Sequence, residues 1–294
     1  MDRSFLRFMA FAKLNLFLEV LNKREDGYHN IRSLIVSVNL ADTLKFKRTR
    51  SDLTLKCDSD EVPSGPENLC LAAALAVKDY SNSRYGAEIT LHKSIPVAAG
   101  LGGGSSDAGC TLIAINKLWE LGLAEKELFA LAEEIGSDVP FFIRGGAQLA
   151  EGRGEKLTRV EGVPETWFVL VTPQLKVNSG WAYSRVKIGL TKRGYEHRIM
   201  PSGVGLDAAS IVRGFRNDLE SGVIETYPVV RELKDLLISQ GALGSLMSGS
   251  GPTVFGVARD RTSATAIASS VSRPGLSVSV VKTVPAAWVE SNQN

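Results

Sequence analysis

Apolar and polar positions alternate near the start of the chain. Ala12, Leu14, Leu16, Leu18 and Val20 fall on one face and Lys13, Asn15, Phe17 and Glu19 on the other, which predicts a strand. A glycine-containing turn, REDGYHN, follows it, and IRSLIVSVNL, DTLKFKRT, DLTLKCD and AEITLHKSI read as further strands. The Ala-rich ENLCLAAALAVKDYSN reads as a helix. In DAGCTLIAINKLWELGL, Ala108, Leu112, Ile115 and Trp119 recur at steps of four, three and four, which predicts a helix from about Ser106 with Ser105 or Ser106 at its N-cap. A second helix, EKELFALAEEIG, aligns Leu128, Leu131, Ala132 and Ile135 and stops at Gly136. SDVPFFIRGGAQLAEGRGEKL returns as loop and strands.

The pattern breaks around Val160 to Pro164. Beyond it TWFVLVTP reads as a buried strand, SGWAYSRVKIGL as a helix with a loop, and HRIMPSGVGL as a mobile surface stretch. PVVRELKDLLISQG is a helix ended by Gly241, LGSLMSGSGPTVFGVA two strands around a tight turn, RTSATAIASSVSR a helix and LSVSVVKTV a last strand. Strands and helices interleave without a regular βα repeat, so the expected class is α+β, in two domains, 1–160 and 161–294.

Composition leaves this picture intact. The 294 residues are 44% hydrophobic and 22% charged, as in ordinary globular proteins. The 34 basic and 32 acidic residues leave a net charge of +2 and no basic run, which argues against a nucleic-acid partner. Cys57, Cys70 and Cys110 have no metal or redox spacing and read as reduced thiols. Lys13, Asn15 and Glu19 interrupt the apolar N-terminus, and no stretch reaches spanning length, so no membrane association and a cytoplasmic location are expected.

The chemistry centres on PVAAGLGGGSSDAG, Pro96 to Gly109. No Lys follows the glycines as a Walker A loop requires, and Ser105 stands where a dinucleotide fingerprint needs its last Gly. What remains is a Gly-rich loop opening a helix, whose free backbone N–H groups and dipole suit an anion. Lys13 and Asn15 lie on one side of the first strand, roughly 6–7 Å apart. Asp138 follows a helix stop, and Pro140 holds Val139 extended beyond it. SGSGP, Ser248 to Pro252, forms a short turn between strands.

Together these pieces resemble the GHMP kinases, the group that includes galactokinase, homoserine kinase and mevalonate kinase. The long motif Pro96–Ala108 is similar to their ATP loop, and the Lys-bearing strand, GSDVP and SGSGPT follow in the family's order over nearly the whole chain. Ala99 departs from the Gly that many relatives carry there. Within the family, AFAKLNLFLEVLNKREDGYHNIRSL and FRNDLE look like the branch that phosphorylates a cytidine-diphosphate sugar alcohol in non-mevalonate isoprenoid synthesis.

The resemblance implies an N-terminal half shared with a ribosomal protein domain and a ferredoxin-like α/β sandwich after it. It implies ATP and Mg²⁺ as cofactors and a small-molecule substrate, with the chain a monomer or homodimer. Pro96, Ala99, Gly100, Leu101, Gly102, Gly103, Gly104, Ser105 and Ser106 would hold the ATP phosphates, with Ser105 or Ser106 on the metal. Asn68, Leu69 and Lys93 would lie near the adenine. Asp138 would be the general base and Lys13 its electrostatic partner, with Asn15 on the acceptor alcohol. Tyr28 would stack on cytosine, His29 donate to its ring nitrogen and Tyr183 cover the opposite face. Asn217, Asp218, Gly249 and Gly251 would line the diphosphate or acceptor side. The competing expectations are a GHMP kinase for another small alcohol, such as homoserine or mevalonate, and a ligand-binding homologue without catalysis.

Overall fold

A computed structural model describes residues 5–186 and 207–291. The HRIMPSGVGL stretch lies outside the described residues. β1 (Phe5–Lys23) and β2 (His29–Thr49) form one long antiparallel hairpin, running in register from Phe5 opposite Lys47 to Lys23 opposite His29. At its turn, Gly27 adopts a φ of +86°, open to glycine, and the Asp26 carboxylate accepts the Tyr28 N–H. The two separate strands expected over residues 31–49 are one continuous strand, with a shift in register beside Phe11 and Ala12.

β3 (Leu53–Cys57), helix α1 (Leu69–Ser81) and β4 (Gly86–His92) follow; β4 pairs with the outer end of β2. α2 (Gly103–Leu118), α3 (Glu125–Ile135) and the short α4 (Phe141–Arg144) then precede β5 (Ala147–Gly152) and β6 (Lys156–Arg159), a hairpin on the other end of β2. α2 starts earlier than expected. Its N-cap is Gly102, at φ +71°, and neither serine caps it. Ala108, Leu112, Ile115 and Trp119 are buried as the spacing required, within a core shared with α1, α3, β2 and β4. Burying a leucine of this kind contributes about 1.5–3 kcal/mol.

The second half begins with β7 (Trp167–Pro173) and α5 (Ser179–Ser184). After the undescribed segment come α6 (Ala208–Arg213), β8 (Arg216–Asn217), α7 (Glu220–Thr226), α8 (Val229–Ser239), β9 (Ser245–Met247), β10 (Val254–Ala258), α9 (Arg261–Val271), β11 (Leu276–Val284) and β12 (Trp288–Glu290). The main strand path runs β12-β1-β2-β11-β7-β10-β9. β11 joins the halves, pairing along β7 and, at Thr283 and Val284, with β2. β8 and β12 return to β1. A core containing Leu14, Leu16, Leu101, Phe168, Phe255 and Val281 seals the seam and places the Gly-rich loop against the SGSG turn.

Candidate active site

The Gly-rich loop and the SGSG turn meet over β1. Gly100, at φ +77°, passes so close to the turn that an added Cβ would lie 2.1 Å from the Ser248 carbonyl oxygen. That carries the Gly100 carbonyl onto Lys13, whose ammonium donates to it at 2.8 Å and also to Asn15 Oδ1; the Ser248 hydroxyl donates to the same carbonyl at 3.0 Å. Lys13 is 5% exposed. The loop and the second half cover the face of β1 expected to be solvated. Burial lowers the Lys13 pKa, and the Asp138 carboxylate opposes that shift.

Asn15 has both amide ends engaged, Oδ1 by Lys13 and Nδ2 by the Ser33 hydroxyl at 2.8 Å. It therefore positions the lysine, with one amide N–H and one Oδ1 lone pair left beyond these two bonds. Lys13, Asn15 and Asp138 line one cleft of about 1070 Å³, larger than most single-ligand sites. Pro96, Ala99, Gly100, Gly102, Gly103, Gly104 and Ser105 line it too. The N–H groups of Gly103, Gly104 and Ser105 precede the first intrahelical bond, which Ser106 N makes to Gly102 O. Glycine is required at 102, where a Cβ would lie 2.8 Å from Phe142 and 3.0 Å from the Lys13 side chain.

At one end of the cleft stand Asn68, Leu69 and Lys93. Asn68 caps α1, accepting from Cys70 N at 2.8 Å. Burial disfavours the Lys93 charge, but Asp107 and Asp42 outweigh it and hold its pKa above the ordinary lysine value. Lys93 donates to Asp107 at 2.8 Å and to Asp42, whose other oxygen accepts from Ser94 N and Ile95 N. At the other end, the His29 ring stacks on Tyr183, with centroids 5.5 Å apart and planes 20° apart. Burial, with Lys23 nearby, lowers the His29 pKa and favours the neutral ring. Tyr28 is 53% exposed at the mouth.

Two family models match the chain, "GHMP kinases N terminal domain" over residues 68–146 and "GHMP kinases C terminal" over 206–275. The 4-diphosphocytidyl-2-C-methyl-D-erythritol kinase of Caldanaerobacter subterraneus subsp. tengcongensis is 44% identical over 87% of this chain and 88% of its own. That of Syntrophus aciditrophicus is 41% identical over 92% and 96%. A crystal structure of 4-(cytidine 5'-diphospho)-2C-methyl-D-erythritol kinase superposes with a TM-score of 0.78 at 32% identity, covering 95% of this chain and 99% of the other. The chain belongs to the GHMP kinases, in the family of the 4-diphosphocytidyl-2-C-methyl-D-erythritol kinases. Homoserine kinase from Cytophaga hutchinsonii shares the fold, at a TM-score of 0.75 and 18% identity.

Several expected site residues of this GHMP kinase serve its scaffold. Ser106 is buried, with its N–H on Gly102 and its hydroxyl on the Phe11 carbonyl at 2.6 Å, so it faces neither phosphate nor metal. The Leu101 side chain sits in the seam core, while its carbonyl accepts from Lys13 N. Asn217 lies behind the SGSG turn, donating to Met247 O at 2.8 Å and Gly249 O at 2.7 Å and accepting from Leu219 N. Asp218 accepts from Val20 N and Arg216. Gly251 closes the turn through its N–H to Ser248 O and is likewise outside the cleft wall. Only Gly249 of this group lines the cleft.

Three residues were missed. Asp42 sits mid-strand with no local signal, Asp107 stands within the SSDAG run, and Ser248 belongs to a turn that reads as ordinary.

Proposed function

We propose that the protein transfers the γ-phosphoryl group of ATP to the 2-hydroxyl of 4-diphosphocytidyl-2-C-methyl-D-erythritol, the compound its relatives are named for, as a cytoplasmic step of non-mevalonate isoprenoid synthesis. The observation that carries this reading is the buried Lys13 ammonium. It is fixed by Gly100 and Asn15 within one cleft that also holds Asp138, the open N–H groups of α2 and the His29–Tyr183 stack. The N–H groups of Gly103, Gly104 and Ser105 bind the phosphates. Asp138 accepts the proton as the hydroxyl oxygen attacks phosphorus, and ADP leaves. Lys13 is the electrostatic partner of Asp138 and neutralises charge developing on the transferred group. A neutral His29 donates an N–H to the unprotonated ring nitrogen of cytosine. The residues before and after 160 contribute the two walls of the cleft.

The loop end suits Mg²⁺. The Asp107 Oδ1 is buried without a partner, and the Ser105 hydroxyl stands in the same helix turn, both hard oxygen donors. Among the described residues no group of three His, Cys, Asp or Glu side chains could hold a metal by itself, so the ion would ride mainly on the nucleotide. Bound there, it supplies charge neutralisation at the β- and γ-phosphates.

The test is ADP release with Mg-ATP against a panel: the cytidine-diphosphate methylerythritol, its cytidine-free analogue, homoserine and mevalonate. Turnover should require the cytidine compound, and Asp138→Ala should lower kcat by about 10²–10⁴. Turnover with homoserine or mevalonate in its place would refute the substrate assignment.

A further inference from the structure

We infer that Phe142 is a positioning residue that holds the Asp138 carboxylate at its working distance from the phosphate end of α2; this rests on the function proposed above. Asp138 stands exposed on the cleft wall. Among the described residues no hydrogen bond holds its carboxylate, so the backbone beneath it sets its place.

That backbone is tied into one piece. Val139 N donates to Gly136 O at 3.1 Å, and Phe142 N donates to Val139 O at 3.0 Å. The buried Gln148 closes the far end of α4, its Nε2 donating to Phe141 O at 3.2 Å and to Gly145 O at 3.0 Å. Phe142 follows Asp138 by four positions and is fully buried against α2. A Cβ on Gly102 would lie 2.8 Å from the Phe142 Cζ, and a Cβ on Gly109 would lie 2.7 Å from the Phe142 Cβ. Gly102 is the N-cap of α2, directly before its open N–H groups. Gly109 sits in the second turn of α2 with ordinary helical backbone, where glycine weakens a helix relative to alanine. What glycine permits there is the close approach of Phe142.

The Lys13 stem meets the ring at the same point, since the Cβ on Gly102 would also lie 3.0 Å from the Lys13 Cγ. One aromatic ring thus spaces the base from both the phosphate seat and the lysine. Asp138 has to reach an acceptor hydroxyl while the γ-phosphate is held by α2. A misplacement of about 1 Å between such groups costs about 10²-fold in rate without removing any group that binds a substrate.

The experiment compares wild type, Phe142→Leu and Gly109→Ala in single turnovers at saturating ATP and acceptor, with KM and calorimetric Kd for both compounds. Phe142→Leu withdraws the ring tip from Gly102, and Gly109→Ala pushes α4 off α2. Each should lower the single-turnover rate about 10- to 100-fold while both Kd values stay within about threefold. Phe46→Leu is the control, equally buried but away from the cleft; it should melt as Phe142→Leu does and keep the wild-type rate. In an Asp138→Ala background Phe142→Leu should cost no further rate, because its effect passes through that carboxylate. A wild-type rate in Phe142→Leu, an equal loss in Phe46→Leu, or a further loss on top of Asp138→Ala would overturn the inference and leave the kinase reading standing. If Phe142→Leu does not fold, Gly109→Ala is judged by the same comparisons. Failure of wild type to phosphorylate the acceptor would overturn both readings together.

Discussion

Replacing Gly249 with alanine should disable the site while the protein stays folded. Gly249 adopts a φ of +54°, and a Cβ there would lie 2.8 Å from the Lys13 ammonium nitrogen, 3.0 Å from Asn15 Oδ1 and 3.2 Å from the Gly100 carbonyl oxygen. The left-handed conformation alone costs an alanine about 1–2 kcal/mol. The contacts add a displacement, because Lys13 is held between Asn15 and Gly100 and cannot yield without giving up one of those bonds. Losing one preorganised donor at the transferred group corresponds to about 10²–10³ in kcat, or roughly 2.7–4 kcal/mol. Gly241→Ala is the control: its φ is +96°, but nothing lies within 4 Å of the new Cβ. Both variants should stay folded in thermal melts, with Gly249→Ala losing about 0.5–1.5 kcal/mol more than Gly241→Ala for the displaced Lys13 bond. Only Gly249→Ala should lose rate, measured in single turnovers at saturating ATP and acceptor. A Gly249→Ala enzyme within threefold of wild type would refute the claim that the SGSG turn fixes the lysine.

Other expectations follow from the same geometry. The lowered Lys13 pKa places the alkaline limb of the kcat/KM profile below the ordinary lysine value of 10.5; a limb at or above 10.5 would count against a charged Lys13 in catalysis. A lysine depressed in the folded state binds fewer protons there than when unfolded. Its destabilising contribution is therefore full below the folded pKa and relaxes as pH rises toward 10.5. The stability of wild type relative to Lys13→Met should accordingly rise over that window in denaturant titrations. Asn217→Ala removes two donated bonds and one accepted bond behind the turn and should cost about 1–3 kcal/mol of stability with a lower kcat; a loss confined to the acceptor KM would restore Asn217 to the substrate site.

The helices of three turns or more were legible from long apolar stripes or, for α1, an alanine-rich run: α1, α2, α3, α8 and α9 are all present, although α2 starts at Gly103, ahead of the expected Ser106. α4, α6 and α7 run four to seven residues, too short for a period of 3.6 to register. The Gly-rich loop and Lys13 were visible as residues, but the burial of Lys13 was not. An alternating strand predicts one wet face, and only the fold brings Gly100 and Ser248 over it. The same limit explains Asn217 and Asp218. FRNDLE marks the family, yet its side chains act on the backbone of Met247, Gly249 and Val20, which local sequence does not reveal. Lys93 was placed near the nucleotide through resemblance, while its two carboxylate partners come from residues 51 and 14 positions away.

The central claim is phosphoryl transfer from ATP to a hydroxyl of the cytidine-diphosphate alcohol. Phosphorus NMR of wild type mixed with Mg-ATP and 4-diphosphocytidyl-2-C-methyl-D-erythritol tests it most directly. The account predicts ADP and one new phosphomonoester signal in equal amounts, with the cytidine diphosphate signals retained. ADP with free inorganic phosphate, or no change in a folded enzyme that binds both compounds, would contradict it.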